Sequence, residues 1–305
     1  MISRYSAHGL TWIDLESPTK DELDLIGEEF AIPSFVRQEM VESTLRSKVD
    51  LYPQFLYLVL HFPVISSGAP KNSDQEVDFI IGKDFLITTR YELVEPVQEF
   101  SKIFERQTMH TDRLLDAHGG IIFMQMIKSF YKKSLRELED MTTVLREIED
   151  RIFTDQHASI VRDISRISRK LLDFKQAIRF HGEVLSSYES ASRRLFGDEY
   201  MYYAEVITSE FKKVNSLLEA HRDIVDELQR TNEALLSSKS NEIMKNFTIM
   251  TFVMLPLSLI TGIFGMNTAD DLIFIKGMSE FLFVIGAMVL TGAVLFIFFK
   301  FKRWI

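Results

Sequence analysis

A chain of 305 residues with 46% hydrophobic side chains and a net charge of −9 is too apolar for an acidic disordered protein, and too acidic to be built for nucleic acid. It contains no cysteine, which excludes disulfides, thiolate metal sites and cysteine nucleophiles. From Asn241 onward the cations Lys245, Lys276, Lys300, Lys302 and Arg303 face the anions Glu242, Asp270, Asp271 and Glu280, so residues 1–240 carry a net −10. An acidic body joined to a mildly basic, strongly apolar tail suits a partner that is itself cationic.

The first residues, Met1 to His8, lack the apolar core of a signal peptide, so the body is expected to stay in the cytosol. Leu10 to Leu15 alternates as a strand, and Ser17-Pro18-Thr19-Lys20-Asp21-Glu22 has the acidic first turn of a helix start. Phe55 to Val64 reads as a buried strand. Ser66 to Asp74, with Gly, Pro, Asn and Ser, reads as a loop. Val77–Ile81 and Phe85–Thr89 are expected to form a hairpin around Gly82-Lys83-Asp84.

From Gly120 to Tyr188 the pattern is helical, without proline. The runs Arg136 to Asp140 and Arg146 to Asp150 predict solvated helix faces laced by i,i+4 ion pairs. Gly197 interrupts, and a new helix is expected from Asp198. Its apolar positions step alternately by four and three through Ile207, Phe211, Val214, Leu218, His221, Val225, Leu228, Asn232 and Leu235. That is the seam of a coiled coil, or equally of packing within one subunit. With no glycine or proline from Asp198 to Met254, the helix can enter a membrane; reaching Phe264 makes it ~100 Å long.

Phe247–Met266 and Phe281–Phe299 are uncharged apolar runs of bilayer length. Lys239 and Lys245 precede the first, and Lys300, Lys302 and Arg303 follow the second. The positive-inside rule therefore puts both ends in the cytosol. The connecting loop then faces outward, and Asp270, Asp271 and Glu280 would attract cations to it. Trp304 is placed as an interfacial anchor. One face of the first span collects Asn241, Met244, Thr248, Thr251, Leu255, Ser258 and Gly262. Polar groups at membrane depth must face a partner or water. Helix contact through small and hydroxyl residues accounts for such a stripe, as does a pore, which two spans per chain enclose only by oligomerising. Pro256 is expected to kink or loosen the helix between Thr251 and Ser258.

Gly265-Met266-Asn267 closes the first span, after a mid-span Pro256 and before a short loop, a second span and a basic tail. In this placement the sequence resembles the CorA family of magnesium and cobalt channels, whose signature is Gly-Met-Asn at the outer end of the first of two spans. The resemblance extends to Asn241–Lys245, to Trp12–Leu15 and to Tyr57–Leu60. It implies an α+β membrane protein: a cytosolic α/β domain over residues 1–118, a helical stalk over 119–246, a pore-lining span over 247–266, an outer loop over 267–280, a second span over 281–299 and a basic tail over 300–305. The assembly it implies is a funnel-shaped homopentamer in the plasma membrane, carrying Mg2+ or Co2+. Magnesium sheds water reluctantly, so a ring of Asn267 oxygens would accept hydrogen bonds from the ion's water shell, with Gly265 and Met266 shaping the turn. Asn241 would form a second polar ring, and Met244 and Leu255 apolar constrictions that gate by dewetting.

The family's gating, in which Mg2+ held between subunits involves a stalk-helix Asp, is less well matched. Val206 stands at that position, leaving Asp198, Glu199, Glu205 and Glu210 as candidate regulatory ligands. The loop Thr268–Ile273 lacks the family's Met-Pro-Glu, which leaves room for the zinc-transporting branch. The rival from another class is a two-span tether without a pore. An enzyme is not expected: the seven histidines, His8, His61, His110, His118, His157, His181 and His221, have no metal-ligand spacing and read as surface or helix-packing residues.

Overall fold

The computed structural model describes residues 1–7, 9–44, 46–64, 74–110, 118–153, 157–265, 278–302 and 304. Contacts divide the chain into two compact units, Met1–Gln229 and Arg230–Ile305.

The first unit is built on a six-stranded sheet of order β1-β2-β6-β5-β4-β3. Its strands are β1 (Ile2–Ala7), β2 (Leu10–Glu16), β3 (Lys48–Leu51), β4 (Phe55–Pro63), β5 (Asp74–Gly82) and β6 (Phe85–Arg90). Only β2 and β6 run parallel; the other neighbours are antiparallel. The expected hairpin forms as β5–β6, turning at Lys83-Asp84, but Asp74 opens β5 rather than ending a loop. The remainder of that expected loop, residues 66–73, lies outside the described residues.

All nine residues of β4 are buried, because both faces of the sheet are covered. One face packs Ile13, Tyr57, Val59 and Ile80 against Leu23 and Ile26 of α1 (Lys20–Glu29) and Val36 of α2 (Ser34–Glu39). Thr19 caps α1 in a reciprocal capping box with Glu22, the mechanism behind the sequence signal. On the other face Trp12 meets Phe100 of α3 (Glu95–His110), and Phe79 and Phe62 meet Phe123 and Phe130 of α4 (Gly119–Arg151). Asp14, buried beneath this layer, accepts hydrogen bonds from Thr88 and Arg90. Burial raises its pKa in spite of the Arg90 charge.

The stretch expected to be helical from Gly120 resolves into α4, α5 (His157–Ile178) and α6 (His181–Phe196). Gly197, at φ 95°, takes the left-handed turn that suits glycine. After one 3-10 turn at Asp198–Tyr200, α7 runs unbroken from Met201 to Phe264. Tyr200 donates to the Gly120 carbonyl at 2.7 Å, tying the start of α7 to the start of α4.

The two readings of the α7 seam separate here. Ile207, Val214, Leu218, His221, Val225 and Leu228 are buried within the single chain, so over this length the seam is packing inside one subunit. His221 Nε2 is hydrogen-bonded to Thr142 of α4 at 2.9 Å, and Lys175 of α5 pairs with Glu219 of α7 at 3.0 Å. Arg151 of α4 pairs with Asp163 of α5 at 3.0 Å. The three helices therefore form a bundle in which each touches the other two. His181, fully buried, bonds Tyr131 through Nδ1 and the His61 carbonyl through Nε2. Burial holds its pKa down to about 3, so it stays neutral. His181 and His221 are thus helix-packing residues, as expected. His61 differs: it sits on β4, 3.1 Å from Glu76 of β5.

The i,i+4 pairs expected along Arg136–Asp140 and Arg146–Asp150 do not form. Among the described residues no ion pair involves any charged side chain of either run. Both runs are mostly exposed, and exposed pairs repay little of the entropy of holding two long side chains together.

Candidate ion pathway

In the second unit the rest of α7 and α8 (Met278–Phe301) are long and apolar enough to cross a membrane. They pack through ring contacts of Phe252 with Phe299 (6.5 Å) and Phe264 with Phe283 (6.4 Å). The aromatic end expected at the tail is present, with Trp304 stacked on Phe299 at 5.9 Å.

The pairing is one-sided. Ile249, Val253, Pro256, Ile260 and Phe264 are partly covered, and at 100° per residue they share one side of α7. The stripe chosen from sequence lies nearly diametrically opposite. Asn241, Met244, Thr251, Leu255, Ser258 and Gly262 are exposed, Met244 at 65% and Leu255 at 63%; Thr248, at the margin, is half-buried. A single chain therefore turns its polar stripe away from its own second span.

The hydroxyls on that stripe are oriented by the helix. Thr248 Oγ1 donates to the Met244 carbonyl at 2.8 Å and Thr251 Oγ1 to the Phe247 carbonyl at 3.0 Å. Thr261, one step off the stripe and not singled out from sequence, donates to Ser258 at 3.0 Å. Pro256 does not end α7, yet it supplies no N–H, so the Phe252 carbonyl lacks its usual helical donor. At the outer end Gly265 donates to the Thr261 carbonyl at 2.9 Å. A Cβ at that glycine would lie 2.9 Å from the same oxygen, which accounts for a residue without one. Met266, Asn267, Asp270 and Asp271 lie outside the described residues, and of Glu280 only the backbone, in α8, is described.

The four candidate regulatory acids do not converge. Asp198 is paired with Arg193, Glu210 with Lys213 at 2.9 Å, and Glu199 and Glu205 are exposed. Among the described residues no group of three or more His, Cys, Asp or Glu side chains is placed to hold a metal. Within one chain these residues do not make a regulatory site.

Residues 7–303 match the family model described as CorA-like Mg2+ transporter protein. The chain belongs to this family. As a CorA-like protein it is a metal-ion transporter of a membrane, with an α/β soluble domain, a long helix and two apolar C-terminal helices. It is 22% identical over 296 residues to the cobalt/magnesium transport protein CorA of Thermotoga maritima, covering 97% of this chain and 83% of that one. To the magnesium transport protein CorA of Campylobacter jejuni it is 24% identical, covering 97% and 91%. The fold superimposes on the complete structure of the CorA magnesium transporter from Methanocaldococcus jannaschii with a TM-score of 0.84 at 18% identity, covering 99% of this chain and 93% of that one.

Proposed function

We propose that this CorA-like chain is one subunit of a homopentamer that conducts Mg2+, and also Co2+, along an axis lined by the first span. One observation carries this: the stripe from Asn241 to Gly262 is exposed on the side of α7 that α8 leaves bare. Polar groups at membrane depth need a partner or water, and copies of the chain arranged about the stripe give them a shared aqueous path. Asn267 accepts hydrogen bonds from the ion's water shell at the outer mouth, with Gly265 and Met266 shaping the turn. Asn241 repeats that chemistry at the inner end, and Met244 and Leu255 narrow the path between. Asp270, Asp271 and Glu280 raise the cation concentration outside. The basic flanks put both termini in the cytosol, and the membrane assigned in this reading is the plasma membrane.

Relatives named for magnesium and cobalt transport favour those ions over zinc. Internal Mg2+ regulates the channel only weakly, because Val206 supplies no ligand and the nearby acids do not cluster. Native mass spectrometry in mild detergent should give five chains of 35.5 kDa, and liposomes holding the protein should take up Mg2+, with Co2+ competing and Zn2+ not. A monomer or dimer overturns the pore, and a ring without flux supports the tether.

A further inference from the structure

Between residues 137 and 150, α4 carries six carboxylates, Glu137, Glu139, Asp140, Glu147, Glu149 and Asp150, against Arg146 alone. Between 161 and 170, α5 carries Arg162, Arg166, Arg169 and Lys170 against Asp163 alone. Both sets are exposed, apart from half-buried Glu137 and Asp163. Among the described residues the carboxylates of the α4 run make no ion pair. Asp163 takes Arg151 at 3.0 Å, and a 3.4 Å contact with Arg166 leaves that side chain 71% exposed. One bundle thus presents an acidic face and a basic face on two different helices, each pointing away from the shared core.

The two faces are level with each other. Arg151 paired to Asp163 fixes the antiparallel register of the α4–α5 hairpin. Counting outward from that pair, Arg162 and Arg166 stand level with Ile152 and Ile148, within two residues of exposed Asp150 and Glu147 on α4. In a ring whose axis runs along these helices, rotation leaves heights unchanged, so the basic row of one copy is level with the acidic row of the next. Two different, complementary patches on one subunit define a heterologous contact, the kind that closes into a ring with an odd number of members. Phe153, 74% exposed, and Val161, 44% exposed, lie near the hairpin end.

We infer that neighbouring subunits lock their soluble units together by docking the acidic face of α4 on one copy against the basic face of α5 on the next. This rests on the ring proposed above and names a contact of that ring. Exposed ion pairs are individually weak, so several in one row are needed, and they set the direction and register of the contact.

The chain has no native cysteine, so cross-linking in the full-length protein is free of background. Chains carrying Glu147→Cys and differently tagged chains carrying Arg166→Cys are expressed together, purified in mild detergent and oxidised. The expected product is a covalent pair bearing both tags, absent from either variant alone. Its yield should fall with salt, because the screening length shrinks from about 10 Å at 0.1 M to about 3 Å at 1 M. It should also fall with Arg162→Glu in the Arg166→Cys chain and return with Asp150→Lys in the other. No mixed pair from rings that native mass spectrometry shows intact overturns this contact and leaves the ring. Pairs formed by Glu147→Cys alone, or a mixed yield indifferent to salt and charge reversal, overturn it as well. A chain that stays monomeric overturns both readings.

Discussion

The two units treat their polar side chains in opposite ways. In Met1–Gln229, Asp14 is enclosed by Thr88 and Arg90, His181 by Tyr131 and the His61 carbonyl, and Tyr200 by Tyr188 and the Gly120 carbonyl. These groups give up water and find replacements inside the same chain, as buried polar groups must. In Arg230–Ile305 the polar residues Thr251 and Ser258 are exposed, and the apolar side of α7 is the covered one. The first unit closes on itself. In the proposed ring the second is finished by other copies of the chain, and function is to be sought where a chain leaves its polar residues exposed.

Substitutions should separate the two units by what they damage. The largest effect is expected for Asn267→Ala: loss of Mg2+ uptake into liposomes with the pentamer intact in native mass spectrometry. Uptake at the wild-type rate would move selectivity elsewhere on the path. Phe79 is fully buried against Phe123, so Phe79→Ala should cost about 3–5 kcal/mol in denaturant unfolding of the first unit. Thr251→Val, nearly the same size, should lower flux and leave that unfolding curve where it is. If both substitutions shift the curve equally, the division fails.

A smaller effect concerns acid. The unfolded chain protonates His181 below its ordinary value of 6.5, whereas the folded chain resists protonation down to about 3. Stability therefore drains away as pH falls from 6.5 toward 3, by about 2 kcal/mol at pH 5. His61 has the opposite sign. Burial opposes its charge, but hydrogen bonds to Glu76 and the Thr44 carbonyl raise its pKa. Its contribution is present in acid and lost as pH rises through the folded value. His181→Gln should thus flatten the fall in unfolding midpoint between pH 7 and pH 5, and an unchanged slope would assign the acid sensitivity to other groups. The smallest effect, about 1 kcal/mol, is expected for Thr19→Ala, which removes the α1 cap. Flux should not change.

The elements legible in the sequence were those whose signal is local and strong. Phe55–Val64 has no polar interruption before His61, the β5–β6 turn is two residues long, and the capping residues of α1 sit where the helix begins. Strand β1 was missed because Ile2–Ala7 is an edge strand with polar Ser3, Arg4 and Ser6. Strand β3, with only four residues, owes its state to pairing with β4. The breaks after Arg151 and Ile178 carry no glycine or proline; bundle packing places them. At the pathway the stripe was legible because Asn241, Thr248, Thr251 and Ser258 recur at the helical period. Which side α8 would cover was not, since α8 is apolar all round. The pairing of Asp198 with Arg193 was hidden because it crosses the turn at Gly197, whereas Glu210 and Lys213 are i,i+3 neighbours on one helix.

The threonines of the first span carry one more consequence. Each hydroxyl has a single hydrogen, and in Thr248 and Thr251 it is spent on the carbonyl one turn back. What remains to face outward is lone pairs. A water around a cation turns both hydrogens away from the ion, while a water around an anion spends one on it and keeps one. In the ring proposed here, a wall of lone pairs therefore accepts more from a cation's shell than from an anion's. Such a wall sorts ions by sign without bearing any charge, and grips none tightly enough to stop it leaving.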